Sequence, residues 1–187
     1  MLHNLRKIIQ AVSAAEDLQS ALNLVVHHVR RGMRTDVCSI YLHFPQTDNY
    51  LLMASEGLNQ AAIGQACLPS GKGLVGLVGL KAETINLKRA AEHPNFYYVQ
   101  ETGEEAFSSF LGVPIIHHRK VLGVLVLQQE TQRRFASEEE AFVVTVCAQL
   151  SGAIAHAEAT GALRQLASAG RGKSREAIFQ GIASSPG

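Results

Sequence analysis

Two almost unbroken apolar runs, Phe110 to Ile116 and Val121 to Gln128, flank the short polar connection His117-His118-Arg119-Lys120. A link of that length joins antiparallel strands. Strands so uniformly apolar are buried on both faces, so the pair belongs at the middle of a sheet with cover on each side. Pro114 cannot donate to a ladder, and a bulge or a one-sided neighbour is expected there. No other part of the chain restricts the fold as strongly.

The remaining elements read around that hairpin. Leu2, Leu5, Ile8, Ile9 and Val12 recur at helical spacing and predict a short helix to about Ser13. Asp17 caps a second helix, with Leu18, Ala21, Leu22, Val25, Val26 and Val29 on one face and an end near Gly32. Val37 to Phe44 and Tyr50 to Ser55, separated by Pro45 and Gln46-Thr47-Asp48-Asn49, predict another hairpin. Gln65 to Leu68 and Thr84 to Leu87 are short strands, and between them Leu74 to Leu80 follow Gly73 as an apolar helix. Lys88 to Gly103 is loop-like. Ser137 with Glu138, Glu139 and Glu140 reads as a capping box, the hydroxyl accepting from the Glu140 amide, and a helix follows to about Ala159. The sum is an α/β (α+β) domain, a twisted antiparallel sheet of about six strands with N- and C-terminal helices packed on one side.

At 187 residues and 47% hydrophobic content the chain buries one substantial core. A formal charge of +1, dispersed Arg and Lys and no Trp argue against nucleic acid or an anionic membrane as partner. The apolar runs fall short of the roughly 20 residues a membrane span needs, and Met1 to Gln10 is unlike a signal peptide. A cytoplasmic protein is expected. The three cysteines, Cys38, Cys67 and Cys147, form no metal or CxxC pattern and read as reduced thiols. From Gly161 the composition turns to Arg, Lys, Gly, Ser and Ala, which predicts a linker over 161–177, and 178–187 reads as the first residues of a further region in a longer protein.

Several motifs fall in one order: Gly73-Leu74-Val75-Gly76, Asn86-Leu87, His93-Pro94-Asn95-Phe96, Ser109-Phe110-Leu111-Gly112-Val113-Pro114, Leu122-Gly123-Val124-Leu125, and Phe135-Ala136-Ser137-Glu138-Glu139-Glu140. From Asp17 to Ala159 this succession resembles a GAF domain, a small-molecule sensing fold, so residues 1–160 are expected to form a GAF/PAS-like sensory domain. Gly181 to Gly187 is similar to the start of the phosphoenolpyruvate-utilising region of enzyme I. A GAF domain just ahead of that pattern resembles the nitrogen-branch phosphoenolpyruvate-protein phosphotransferases. The resemblance implies sensing of glutamine or 2-oxoglutarate, control of histidine autophosphorylation in downstream enzyme I domains, and transfer to a phosphocarrier protein. It implies Mg2+ for that downstream region and no cofactor in this fragment. The family's Thr-Ser-His-Ala phosphoacceptor setting is missing from this sequence, so the fragment itself is not expected to be an enzyme.

The resemblance also places a cavity between the sheet, the Gly73 to Leu80 helix and the Lys88 to Ser108 loop. Gly71-Lys72-Gly73 opens that helix with unpaired N–H groups on residues that allow close approach, a natural dock for a carboxylate. Lys72, Lys88 and Arg89 are candidate partners for it, although the family often has acidic residues at these places. Tyr97 and Tyr98 are candidates for an aromatic lid, and Ser109 for a further contact. The bland alternative is that the glycines serve helix packing and the aromatics anchor a loop. His117 and His118 point to opposite faces of a strand, and no metal site is assigned. Apolar residues on more than one side of Ala141 to Ala157, with the Leu2 to Val12 stripe, predict a parallel helical homodimer. Two other readings compete: a ligand-free GAF dimerisation module, and a free methionine sulfoxide reductase-like enzyme acting through Cys67.

Overall fold

The computed structural model describes residues 2–102 and 107–169. Ten principal elements follow in the order α1 Leu2–Ala14, α2 Leu18–Met33, β1 Val37–Phe44, β2 Asn49–Glu56, β3 Cys67–Pro69, α3 Gly73–Lys81, β4 Ile85–Leu87, β5 Ser109–His117, β6 Lys120–Gln129 and α4 Ser137–Ala159. Single 3-10 turns lie at Gln60–Ala62 and at Ala90–Glu92, the second within the stretch whose polar sequence predicts plain loop. The strands form one antiparallel sheet in the order β3-β2-β1-β6-β5-β4.

The apolar hairpin is β5–β6, and β6 with β1 lies at the sheet centre. Its alternate residues enter two separate cores. Ile40, Leu42, Leu111, Val113, Ile115, Leu125 and Leu127 pack with α1, α2 and α4. Tyr41, Leu52, Phe110, Val124 and Val126 pack with α3. Three helices therefore share one side, as expected, while α3 covers the other.

Pro114 is accommodated because β4 pairs β5 only over Phe110, Leu111 and Gly112, which leaves that side of β5 open at the proline. The ladder irregularity comes one step later, between Ile115 and Ile116. The turn is tighter than the four polar residues predict: His117 pairs Lys120, and His118 and Arg119 both take positive φ, 48° and 66°. That is the backbone of a two-residue type I′ hairpin, here without the usual Asn-Gly.

The end of α2 falls where the sequence places it, but not through Gly32, and the start of α4 is capped differently from the sequence reading. Gly32 lies inside α2, and the helix stops instead at Arg34 in the left-handed conformation (φ 54°). What Gly32 permits is close approach of α1, because a Cβ there would stand 2.7 Å from Asn4 Nδ2. At α4 the capping residue is Ala136, not Ser137. A methyl group accepts nothing, so only half of the expected box exists: Glu139 accepts from the Ala136 N–H at 2.7 Å. Its carboxylate also receives two bonds from the Arg133 guanidinium, at 2.7 and 3.0 Å.

Beyond α4, Gly161 (φ 78°) breaks the helix, and residues 162–169 are again helical. Leu163 and Ala167 are buried in the helix-side core, so the fold extends into the segment whose composition predicts a linker. The remainder of that segment, and the Gly181 to Gly187 pattern, lie outside the described residues. Among the described residues α4 is the one helix long and apolar enough to span a membrane by length and composition. Here its Phe142, Val143, Val146, Leu150 and Ile154 face belongs to the helix-side core.

Burial would raise the Glu139 carboxyl, but the Arg133 and Ala136 bonds outweigh it and hold the group below the ordinary carboxylate range. A carboxylate depressed in the folded state adds stability above its unfolded pKa and loses it as pH falls through the folded value. Glu139→Gln therefore lowers the melting temperature at pH 7 by about 2–4 °C, the shift roughly 1 kcal/mol gives in a domain of this size. In melts recorded as a function of pH, the gap between variant and parent closes below the carboxylate range.

Candidate ligand-binding site

The α3 side of the sheet is covered by one short helix and loops, and the candidate site lies there. Gly71 and Gly73 take φ of 76° and 67°, left-handed angles that glycine adopts without strain, and they turn the chain sharply into α3. The Gly71 N–H bonds Gly76 O at 3.2 Å and the Lys72 N–H bonds Pro69 O at 3.0 Å. The first helical bond is Gly76 N–H to Lys72 O, at 3.2 Å. The N–H groups of Gly73, Leu74 and Val75 thus have no acceptor within the helix. No side chain caps this end, and no acidic residue occupies its first turn.

Opposite stands the segment Phe96-Tyr97. Its approach is set by a turn in which the Phe96 N–H bonds His93 O at 2.9 Å and the Asn95 N–H donates to His93 Nδ1 at 3.1 Å. Lys72 Nζ sits 4.1 Å above the centre of the Tyr97 ring, a cation–π contact across the mouth of the site. A Cβ on Gly73 would lie 3.4 Å from Tyr97 Cβ. The glycine is thus needed for both its backbone angle and the closeness of this aromatic.

Between Leu74 and Val75 of α3, Phe96 and Tyr97 of the loop, and Phe110 and Gln128 of the sheet remains a cavity of about 20 Å³. That admits one water molecule. The metabolite-sized hollow expected from the sequence is, in this conformation, filled by these apolar side chains. A ligand the size of an amino acid enters only if the Phe96-Tyr97 segment moves away. Tyr97 is suited to that movement: it is 45% exposed, whereas Phe110 on the sheet is 3% exposed.

The structure brings Lys72, Gly73 and Tyr97 together, with Tyr98 half-buried on the same segment. Lys88 and Arg89 are exposed, and Arg89 is engaged with Glu92 at 2.8 Å and Gln132 at 3.2 Å. Ser109 is fully buried. Its Oγ lies 2.5 Å from Thr131 O and 2.8 Å from Arg133 O, and accepts from the Arg133 N–H at 2.8 Å, so the residue is a strut for the β6–α4 connection.

Gln128 is the residue the sequence did not reveal. It follows Val124 and Val126 on the α3-facing alternation of β6, in register with Val37 on one side and Phe110 on the other. Only 5% of it is exposed, and its Oε1 has no partner among the described residues. An unmet buried polar atom costs about 1–3 kcal/mol. The signal was a polar residue closing an apolar run, which a strand buried on both faces conceals.

The thiols divide sharply. Cys38 and Cys147 lie in the helix-side core, and burial raises both. Cys67 is exposed on the edge strand β3. A reductase cycle through Cys67 would need a second reachable thiol, and neither of the others is accessible. His117 and His118 are stacked at the hairpin tip with ring centres 4.1 Å apart.

A model of the GAF domain family matches residues 17–154. The phosphoenolpyruvate-dependent phosphotransferase system protein of Escherichia coli K12 is 38% identical over 160 residues, which is 86% of this chain and 21% of that protein. The chain thus spans about a fifth of the length of the curated relatives it matches. Among solved structures, the GAF domain of a phosphoenolpyruvate-protein phosphotransferase from Coxiella burnetii is 45% identical with a TM-score of 0.83, covering 86% of this chain and 96% of that one. The corresponding GAF domain from Acinetobacter is also 45% identical, at a TM-score of 0.79 and the same coverage.

The burial contrast at the cavity predicts a contrast in stability. Phe110→Ala costs about 3–5 kcal/mol in urea unfolding, as a core phenyl does, and Tyr97→Ala about 1 kcal/mol or less, the worth of an exposed cation–π contact with partial burial.

Proposed function

This chain belongs to the GAF domain family, and we propose that it is the N-terminal regulatory domain of a cytoplasmic phosphoenolpyruvate-protein phosphotransferase, sensing a small nitrogen- or carbon-status metabolite, glutamine or 2-oxoglutarate. The signal adjusts histidine autophosphorylation in downstream enzyme I domains, which require Mg2+, and phosphoryl transfer to a phosphocarrier protein. The observation that carries the sensing part is the uncapped first turn of α3, whose Leu74 and Val75 line the cavity, with Lys72 just ahead of them over the Tyr97 ring. Three unshared N–H groups and the positive helix end favour a carboxylate there. The likeness to two phosphotransferase GAF domains over nearly their whole length supports the placement within a larger enzyme.

A route from cavity to downstream chain follows from the bonding. The loop that closes the cavity runs from β4 to β5, and both of its ends hold the connection into α4. Asn86 on β4 accepts from the Phe135 N–H at 3.1 Å and donates to Phe135 O at 2.9 Å. Ser109 at the start of β5 binds Thr131 and Arg133, as described. Ligand entry displaces Phe96-Tyr97, frees Lys72 to pair with the ligand, and loads these two clips. The load reaches α4 and whatever follows it, provided the ligand prefers one arrangement.

A second reading, association alone, has its own support. Ala141, Thr145, Ala148, Gly152, Ala155 and Ala159 recur at alternating steps of four and three along α4, all exposed or half-buried and all small. A Cβ on Gly152 would meet nothing within 4 Å. Val144 (44% exposed) and Ile116 (38%) flank this seam. The seam is suited to a closely packed helix of a second copy, giving the parallel homodimer that the sequence led us to expect.

Calorimetric titration of the 187-residue chain with L-glutamine and with 2-oxoglutarate separates the two readings. Sensing gives saturable heat with one of them, weakened at least tenfold in Gly73→Leu or Lys72→Glu. No heat with either, together with a melting temperature that rises with protein concentration, leaves only the dimerisation module.

A further inference from the structure

We propose that Gln128 is the selectivity residue of the α3-side cavity and that the ligand it reads carries a carboxamide, with a carboxylate at its other end. This rests on the metabolite-sensing reading of the same cavity. Two independent features converge on the space. One is the uncapped α3 terminus, whose Leu74 and Val75 line the cavity, with Lys72 just ahead of them over the ring of Tyr97, another lining residue. The other is a side-chain amide 5% exposed, lining the cavity, whose oxygen has no partner among the described residues.

These ends ask for different chemistry. The helix end supplies donors and positive potential, so it suits an anionic group. Gln128 supplies one acceptor and a donor pair side by side, with no charge. Its neighbours across the sheet, Val37 and Phe110, are apolar and almost fully buried, so no cation there offsets an anion. A carboxamide meets Gln128 reciprocally: its NH2 donates to Oε1 and its carbonyl accepts from Nε2. An ionised carboxylate can only accept, and it would set its lone pairs against Oε1. The preference for amide over acid follows from both the lost bond and the buried charge.

The bland alternative is one trapped water. The cavity of about 20 Å³ has room for it, and such a water would satisfy Oε1. It would give no selectivity between an amide and the matching acid.

The test uses the 187-residue chain and three probes, L-glutamine, L-glutamate and 2-oxoglutarate, titrated by calorimetry into the parent and into Gln128→Met, an apolar substitution of similar length. The expected result is that the parent binds glutamine at least tenfold more tightly than either acid, and that Gln128→Met brings the ratio close to one. A parallel reading needs no variant in the titration: the Gln128 side-chain NH2 resonances, identified by their loss in Gln128→Met, move saturably with glutamine in the parent. Binding with an unchanged preference in Gln128→Met, or with Gln128 resonances that stay still, overturns this inference while sensing stands. Selective binding of 2-oxoglutarate overturns it likewise. Absence of binding by all three removes the sensing reading and this inference with it. A Gln128→Met variant that melts at or above the parent temperature confirms that a loss of selectivity is not a loss of fold.

Discussion

A sheet whose middle strands are apolar on both faces has to be covered twice, and the two covers of this sheet are unequal. On one side α1, α2, α4 and the helical residues 162–169 supply a continuous packed layer. On the other, the nine-residue α3 and two loop segments do the same task over the same strands. The hydrophobic requirement is met on both sides. The thinner side meets it with side chains that are easier to displace, and the helix there begins with no cap. Both the candidate site and its closed state follow from that imbalance.

Much of this was legible because period and apolar content act locally. The two hairpins, α2 and α4 were visible in their spacing, and the glycines at 71 and 73 were visible as residues that allow close approach at the start of an apolar helix. What failed did so through tertiary contact. Gly32 looks like a terminator, yet it is there for Asn4 of another helix. Ser137 looks like a cap, but Glu139, steered by Arg133, ties down the residue before it. Ser109 and Arg89 have hydrogen-bonding groups suited to a ligand, and both are spent on residues 131–133 and 92, which only the folded chain brings near. Gln128 escaped notice because alternation carries no information in a strand whose faces are both apolar.

The unequal covers also separate in space the two roles proposed for the domain. The α3 side offers donors and a buried amide, while the outer face of α4 offers small residues on which a second helix can seat. Asn86 and Ser109 join the two, since each ties a strand bordering the cavity loop to the connection that leads into α4. In the proposed mechanism a displacement at Phe96-Tyr97 reaches the α4 seam through these hydrogen bonds and one continuous sheet. The proposed metabolite sensing and self-association would draw on different residues.

The central claim is that the thin cover opens for a small solute. A crystal structure of the chain grown with saturating L-glutamine, and another with 2-oxoglutarate, tests it most directly. One of them should show the solute between the first turn of α3 and the β6 strand, with Phe96 and Tyr97 displaced and the Lys72 contact to the Tyr97 ring broken. A cavity still closed by Tyr97 in both, at its present water-sized volume, would contradict it.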